Sequence, residues 1–256
     1  MGAPTFRTPE EKKAYVRRVF GSIAPWYDFF NTLLSFGTHK LWRRRFLREL
    51  RLAPGMRVLD LATGTGDLAL AVARKLGPGG EVVGVDLSPE MLSVAREKVA
   101  RLRESGRTPA ARVEFREGEA ERLPFPDAAF DGATIGFALR NVTDVPHVLR
   151  EMRRVVRPGG FVASLELSHP YLWGFRQVYG VYFERVLPWI ADRVAGRYEE
   201  YAWLPESLKR FIDAETLRRL FEEAGLERVR VIPLTFGVAA IHIGYRPEEP
   251  REASEA

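Results

Sequence analysis

Residues 58–70, VLDLATGTGDLAL, constrain this chain most. The short apolar run Met56–Ala62 ends in glycine-rich sequence, as a buried parallel strand does. Gly64 and Gly66 then let the backbone turn sharply and let a ligand approach the main chain. Apolar residues resume at helical spacing over 68–76. The segment therefore reads as strand, loop and helix. Downstream the alternation repeats. Strands are expected at 81–87, 112–116, 130–138, 161–167, 227–234 and 239–246. Ser88 before Pro89 reads as a cap and first turn for a helix to about Arg103. Helices are also expected over 145–156, stopped by Arg157-Pro158-Gly159-Gly160, and over 213–224, with Gly225 just past the end. Residues 10–50 read as two or three helices around a break at Ser35–Thr38. Strands alternating with helices imply an α/β fold, a mostly parallel seven-stranded sheet with helices on both faces. The last two strands lie too close in sequence for a crossover helix, so they should form an antiparallel hairpin at one edge.

Composition narrows the function. The chain has no cysteine, which excludes disulfides, thiolate nucleophiles and Cys-bound metals. The four histidines, His39, His147, His169 and His242, show no metal-ligand spacing, so no metal site is assigned. No apolar run approaches the length of a membrane span, and the N-terminus lacks a secretory apolar core. A cytoplasmic location is therefore expected. Charge is uneven: residues 1–51 carry a net +7 and the rest −2. A basic, aromatic arm of this kind suits an anionic partner, a lipid surface or a nucleic acid, or is simply a solvated helix face.

The loop and the next strand define a candidate site. Asp86 ends the second strand, where an acid can accept both hydroxyls of an adenosine ribose. Gly64-x-Gly66-x-x-Ala69 also satisfies the permissive dinucleotide pattern, so an NAD-dependent dehydrogenase is the first competing reading. Asp67 weighs against it: its charge would repel a pyrophosphate at the helix N-terminus and would suit the ammonium of an amino-acid ligand. Glu119 and Ala120, after the third strand, are placed to meet an adenine, with Leu123-Pro124-Phe125 as a wall.

Together these stretches resemble class I methyltransferases. More narrowly they resemble the UbiE/MenG family of ubiquinone and menaquinone biosynthesis C-methyltransferases. The matching segments are 19–44, 58–67, 120–131, 136–144, 154–160, 198–211 and 234–246. The resemblance implies a Rossmann-like domain over 51–246, with a helical arm or lid at 1–50, a substrate-covering insertion at 170–212 and a polar tail at 247–256. It implies S-adenosyl-L-methionine as cofactor and a prenylated quinol as acceptor. By position, Thr65, Asp86, Glu119 with Ala120, and Gly136 align with the family's cofactor contacts, beside the glycines Gly64 and Gly66. Glu119 stands where Asn or Asp is frequent, and Gly136 where Ser is frequent.

The implied chemistry is methylation of a ring carbon of a reduced quinol. The ring carbon becomes nucleophilic when a neighbouring hydroxyl loses its proton, so a base or a phenolate-stabilising cation is expected. Arg140 and Asn141 follow the fourth strand at the expected rim, and are assigned to the oxyanion and to ring orientation. The alternative for Arg140 is a salt bridge to Asp144. Tyr27, with Asp28, is expected to close over the site. His169 and then His39 are the histidine candidates for a base, while His147 reads as surface and His242 as packing. Residues 42–47, WRRRFL, interleave cations and apolar side chains as an interfacial helix does, and Tyr171–Trp203 has the aromatics for a tail channel. Both also read as packing. A peripheral membrane contact follows from the first reading; an RNA substrate is disfavoured by the absence of any RNA-binding module. Oligomeric state is left open.

Overall fold

The computed structural model describes residues 4–171, 177, 180 and 198–248. Three helices come first: α1 (Pro9–Ile23), α2 (Tyr27–Leu34) and α3 (Thr38–Glu49). Thr8 caps α1 by accepting the Glu11 N–H at 3.2 Å, with Pro9 in the first turn. Gly37, at φ 74°, reverses the chain between α2 and α3. Then follow β1 (Arg57–Leu61), α4 (Asp67–Leu76), β2 (Glu81–Asp86), α5 (Pro89–Glu104), β3 (Arg112–Glu117) and β4 (Phe130–Gly136). The last elements are α6 (Val145–Val155), β5 (Val156–Leu167), α7 (Tyr198–Lys209), α8 (Ala214–Glu223), β6 (Glu227–Leu234) and β7 (Ala239–Tyr245).

Among the described residues the sheet has seven strands, in the order β3-β2-β1-β4-β5-β7-β6. Strands β1 to β5 pair in parallel; β7 is antiparallel to both β5 and β6. The expected edge hairpin forms, with β7 placed inside and β6 outside. Burial explains the choice. Every residue of β7 is buried, whereas β6 carries Glu227, Arg228, Arg230 and Pro233 and is partly exposed along its length. Charges and proline suit an edge strand and would be costly inside.

The turn expected at 157–160 is a bulge within β5. Val156 pairs with Phe130 and Phe161 with Gly132, so four residues loop out opposite Asp131. Arg157 donates to the Asp131 carboxylate at 2.5 Å. Gly160 is needed because a Cβ there would lie 2.5 Å from the Asp131 carbonyl oxygen.

Strand alternation builds two core layers. Val58 and Val82 point to one face, with Leu68, Val72, Leu92 and Phe115. Leu59, Leu61, Val83 and Ile135 point to the other, against Leu149, Met152 and Phe221. Helix α3 belongs to the first layer through Trp42 and Phe46, with Leu50 just past its end. Of residues 42–47, Trp42 and Phe46 thus follow the packing alternative and point inward, while the exposed stripe of α3 is Leu41, Arg44, Arg45 and Arg48. A third cluster, Ile23, Ala24, Phe30, Met91 and Leu208, clamps the N-terminal helices onto α5 and α7. The arm thus sits beside the C-terminal ends of the parallel strands, where α/β sheets bind ligands.

Candidate active site

The strand order reverses between β1 and β4, and a cleft opens beyond the ends of β2, β1 and β4. Its volume is about 800 Å³ when the open solvent at its mouth is included. Ala62, Gly64, Asp86, Gly136 and Phe137 form the floor. Lys13, Val16, Arg17 and Phe20 of α1 form a wall; their spacing puts them on one helix face. Tyr27, Glu119, Ala120, Asn141 and Val142 complete it. Ala62 and Phe137 lie in the left-handed region, at φ 47° and 57°. Non-glycine residues there cost of order 1 kcal/mol or more and are held by their surroundings. Both turn the chain away just where a strand meets the cleft.

Asp86 is fixed by backbone donors. One carboxylate oxygen accepts the Gly64 N–H at 2.8 Å, the other the Ser88 N–H at 2.9 Å. Burial pushes its carboxyl above the usual range, against these bonds. Each oxygen keeps a second lone pair for a ligand hydroxyl. Gly64, at φ 55°, has open space where a Cβ would stand, so its bare backbone faces the cleft. The residues fit an adenosyl group: an acid at ribose height, Ala120 and Glu119 beyond β3, and apolar Val85, Leu87 and Met91 alongside.

Thr65 and Gly66 do not line the cleft and are packed into the scaffold. Thr65 is buried, donates its hydroxyl to Asp28 at 2.7 Å and accepts from Lys98 at 2.9 Å. Lys98 also pairs with Asp28, and with Asp67 at 2.6 Å. Arg43 holds the other Asp67 oxygen at 2.9 Å. Burial opposes ionisation of Asp67, but Arg43 and Lys98 outweigh it and hold its carboxyl below the usual range. The charge that the sequence offers to a ligand ammonium is thus already matched by two cations of the chain. The same network ties α2, α3, α4 and α5 to the glycine loop. A Cβ on Gly66 would lie 2.7 Å from the Phe115 ring and 3.0 Å from Ala95, so close packing demands this glycine.

Arg140 is drawn back from the rim. Its side chain is 5% exposed, donates to the Phe137 carbonyl at 2.6 Å and lies 3.8 Å from Glu166. The alternative partner, Asp144, instead caps α6 by accepting the His147 N–H at 2.8 Å. Asn141 does line the cleft, and its carbonyl oxygen accepts the Trp203 indole N–H at 3.0 Å. Burial raises the Tyr27 phenol, which bonds to Asn31 and faces the Arg140 charge. Glu119 stands at the rim, paired with Lys13 at 2.7 Å. Of the ten residues assigned from sequence, the fold brings Tyr27, Gly64, Asp86, Glu119, Ala120, Gly136 and Asn141 to the cleft wall.

None of the histidines lines this cleft. His169 meets the Phe211 carbonyl at 3.1 Å and His147 the Glu121 carbonyl at 2.7 Å. His39 contacts Ser35 at 2.6 Å, and burial pushes its pKa down to about 4. His242 is buried beside Phe221. The expected tail channel over Tyr171–Trp203 lies mostly outside the described residues.

Two acids that sequence reasoning passed over are buried at the strand ends. Asp60 accepts the hydroxyls of Thr63 and Thr134, each at 2.7 Å, and joins β1, β4 and the loop. Glu166 ends β5 and accepts two backbone N–H groups. An acid inside an otherwise apolar strand, as in VLDLA and FVASLEL, was the available signal.

The model of the ubiE/COQ5 methyltransferase family matches residues 8–246. The chain belongs to that family. A demethylmenaquinone methyltransferase of Bacillus cytotoxicus is 47% identical, over 93% of this chain and 98% of the relative. Solved structures share the fold. A SAM-dependent methyltransferase from Thermotoga maritima aligns at TM-score 0.64 and 20% identity, over 90% of this chain and 99% of its own. Phosphoethanolamine N-methyltransferase 2 of Haemonchus contortus, in complex with S-adenosyl-L-methionine, aligns at 0.57 and 18%, over 80% and 52%.

The Asp60 environment gives a stability test. Burial pushes its pKa from 3.8 up to about 6, against the two hydroxyl bonds. A raised folded pKa adds stability that is complete below the unfolded value and lost as pH rises through the folded one. Thermal melts of the parent and Asp60→Asn should therefore shift relative to each other in the variant's favour between pH 4 and pH 7. A constant gap across that range would contradict the buried, shifted carboxylate.

Proposed function

We propose that this methyltransferase transfers the methyl group of S-adenosylmethionine to a ring carbon of demethylmenaquinol, a reduced prenylated naphthoquinol. One observation carries the reading: the family's fold presents Asp86 and a bare Gly64 backbone on one side of a cleft whose other side is the Phe137–Val142 turn. The 47% identity to a demethylmenaquinone methyltransferase over nearly the whole chain supports this acceptor over other small aromatics.

The sulfonium supplies an already activated methyl group. What the chain adds is position. Asp86 takes the ribose hydroxyls, and the Glu119-Ala120 segment takes the adenine edge. Asn141, oriented by Trp203, and Tyr27 meet the acceptor ring. Arg140 stands one layer back and lowers the energy of a negative acceptor oxygen through its charge. Phe20, Phe137 and α1 exclude water from the ring. An RNA acceptor is less well supported, because part of the arm's excess charge is used internally, Arg43 on Asp67.

The tail of such an acceptor lies in a bilayer, and the outer stripe of α3 suits contact with an anionic lipid surface. Leu41 is exposed there beside Arg44, Arg45 and Arg48, with Phe36 78% exposed just before the helix. Among the described residues no helix is long and apolar enough to cross a membrane. Co-sedimentation with anionic vesicles at low salt should fall sharply when Arg44, Arg45 and Arg48 are changed to Gln. Equal sedimentation of the triple variant, or none by the parent, removes this contact.

The acceptor is tested with labelled methyl donor against reduced demethylmenaquinol, reduced demethylubiquinol and tRNA in parallel. Reduced demethylmenaquinol should be methylated, and Asn141→Ala should lower kcat on the order of tenfold or more. Its affinity for adenosylhomocysteine should stay within about threefold of the parent. Methylation of tRNA alone would overturn the assignment.

A further inference from the structure

We propose that Glu166 is a positioning residue for methyl transfer: its carboxylate fixes the Phe137–Val142 turn against the cleft and holds the Arg140 guanidinium behind it. This rests on the acceptor reading above and adds a residue that reading does not use. Glu166 is 1% exposed at the end of β5. One oxygen accepts the N–H groups of Ala138 and Leu139, at 2.8 and 2.9 Å, which start the short turn Leu139–Asn141. Its other oxygen has no hydrogen-bond partner and lies 3.8 Å from the Arg140 guanidinium, whose Nε is also unpartnered.

The pair is poorly explained by stability. Two buried charges with unfilled hydrogen-bonding sites lose more in desolvation than a loose contact returns, and apolar residues of similar size often do better. The geometry makes sense as placement. Ala138, Asn141 and Val142 line the cleft, and Glu166 grips the backbone immediately between floor and rim. Strand β7 puts Ala240 opposite Glu166, and β4 ends at Gly136 beside Leu165. Arg140, on the turn, is the charged group that acts on Glu166, and Tyr27 of α2 faces Arg140 in turn.

Burial pushes the Glu166 carboxyl from 4.5 up to about 7, against Arg140 and the two N–H groups. Above that pH the ionised form holds the turn and the guanidinium; below it, protonation removes the charge that faces Arg140. The test uses parent and Glu166→Gln, which keeps the shape and loses the charge. Amide proton shifts of Ala138 and Leu139, followed by NMR from pH 5.5 to 8.5, should titrate together in the parent and stay flat in the variant. In turnover, the parent's kcat should fall on the acid side of neutrality. The variant should lack that limb and run about tenfold lower, with adenosylhomocysteine affinity within twofold. Amides that do not titrate in the parent overturn the proposal, as does a variant with parental kcat and the same acid limb. A parent that methylates no reduced quinol counts against the acceptor, while the amide titration still reads Glu166's hold on the turn.

Discussion

The rest of the structure depends on the Asp86 carboxylate tied to the Gly64 N–H at 2.8 Å. That bond crosses from the end of β2 to the loop after β1 and fixes both at one height. A buried acid is costly unless its oxygens are satisfied, and here two backbone donors satisfy them. The same residue lines the cleft. A single interaction thus closes the loop and places a carboxylate at the sheet's ligand end, where the proposed ribose contact would form.

Around that point the chain's charges are organised inward. Lys98 stands among Asp28, Thr65 and Asp67, and Arg43 completes the set. These contacts bind the N-terminal helices to the glycine loop, so α1 becomes a wall of the cleft. Apolar burial secures the same helices, with Phe30 and Met91 at the centre of their cluster. Loss of the arm would open the site as well as weaken the fold. The basic excess of the first 51 residues is therefore partly structural, and its outward remainder is shared between α1, at Arg17 and Arg18, and α3.

Much of this was legible in the sequence. The strand–loop–helix at 58–70, the Ser88-Pro89 cap and the place of Asp86 at the end of its strand each have a local cause, and each forms as expected. The edge pair was legible too, but its order was not. Which of two strands lies inside follows from the burial of a whole face, visible only when β7's unbroken apolar run is weighed against the charges of β6. Side-chain direction was the least legible. Thr65 points to Asp28, a partner distant in sequence, and Arg140 turns back to the Phe137 carbonyl with Glu166 3.8 Å behind it. Asp60 and Glu166 were missed for the converse reason: each reads as one polar letter in an apolar strand until the fold brings Thr134, or the turn at Ala138, alongside.

The most direct test of the account is calorimetric titration of adenosylhomocysteine into the parent and into Asp86→Asn. The parent should bind it, and NADH should give no heat. The variant keeps a side-chain oxygen for the Gly64 N–H and loses the charge-assisted grip on the ribose. Its affinity should fall on the order of tenfold to a hundredfold, the loss of one or two bonds of about 1.5–3 kcal/mol each set against the replacement amide. Equal affinity for both proteins, or saturation by NADH with no uptake of adenosylhomocysteine, would contradict the role given to this carboxylate.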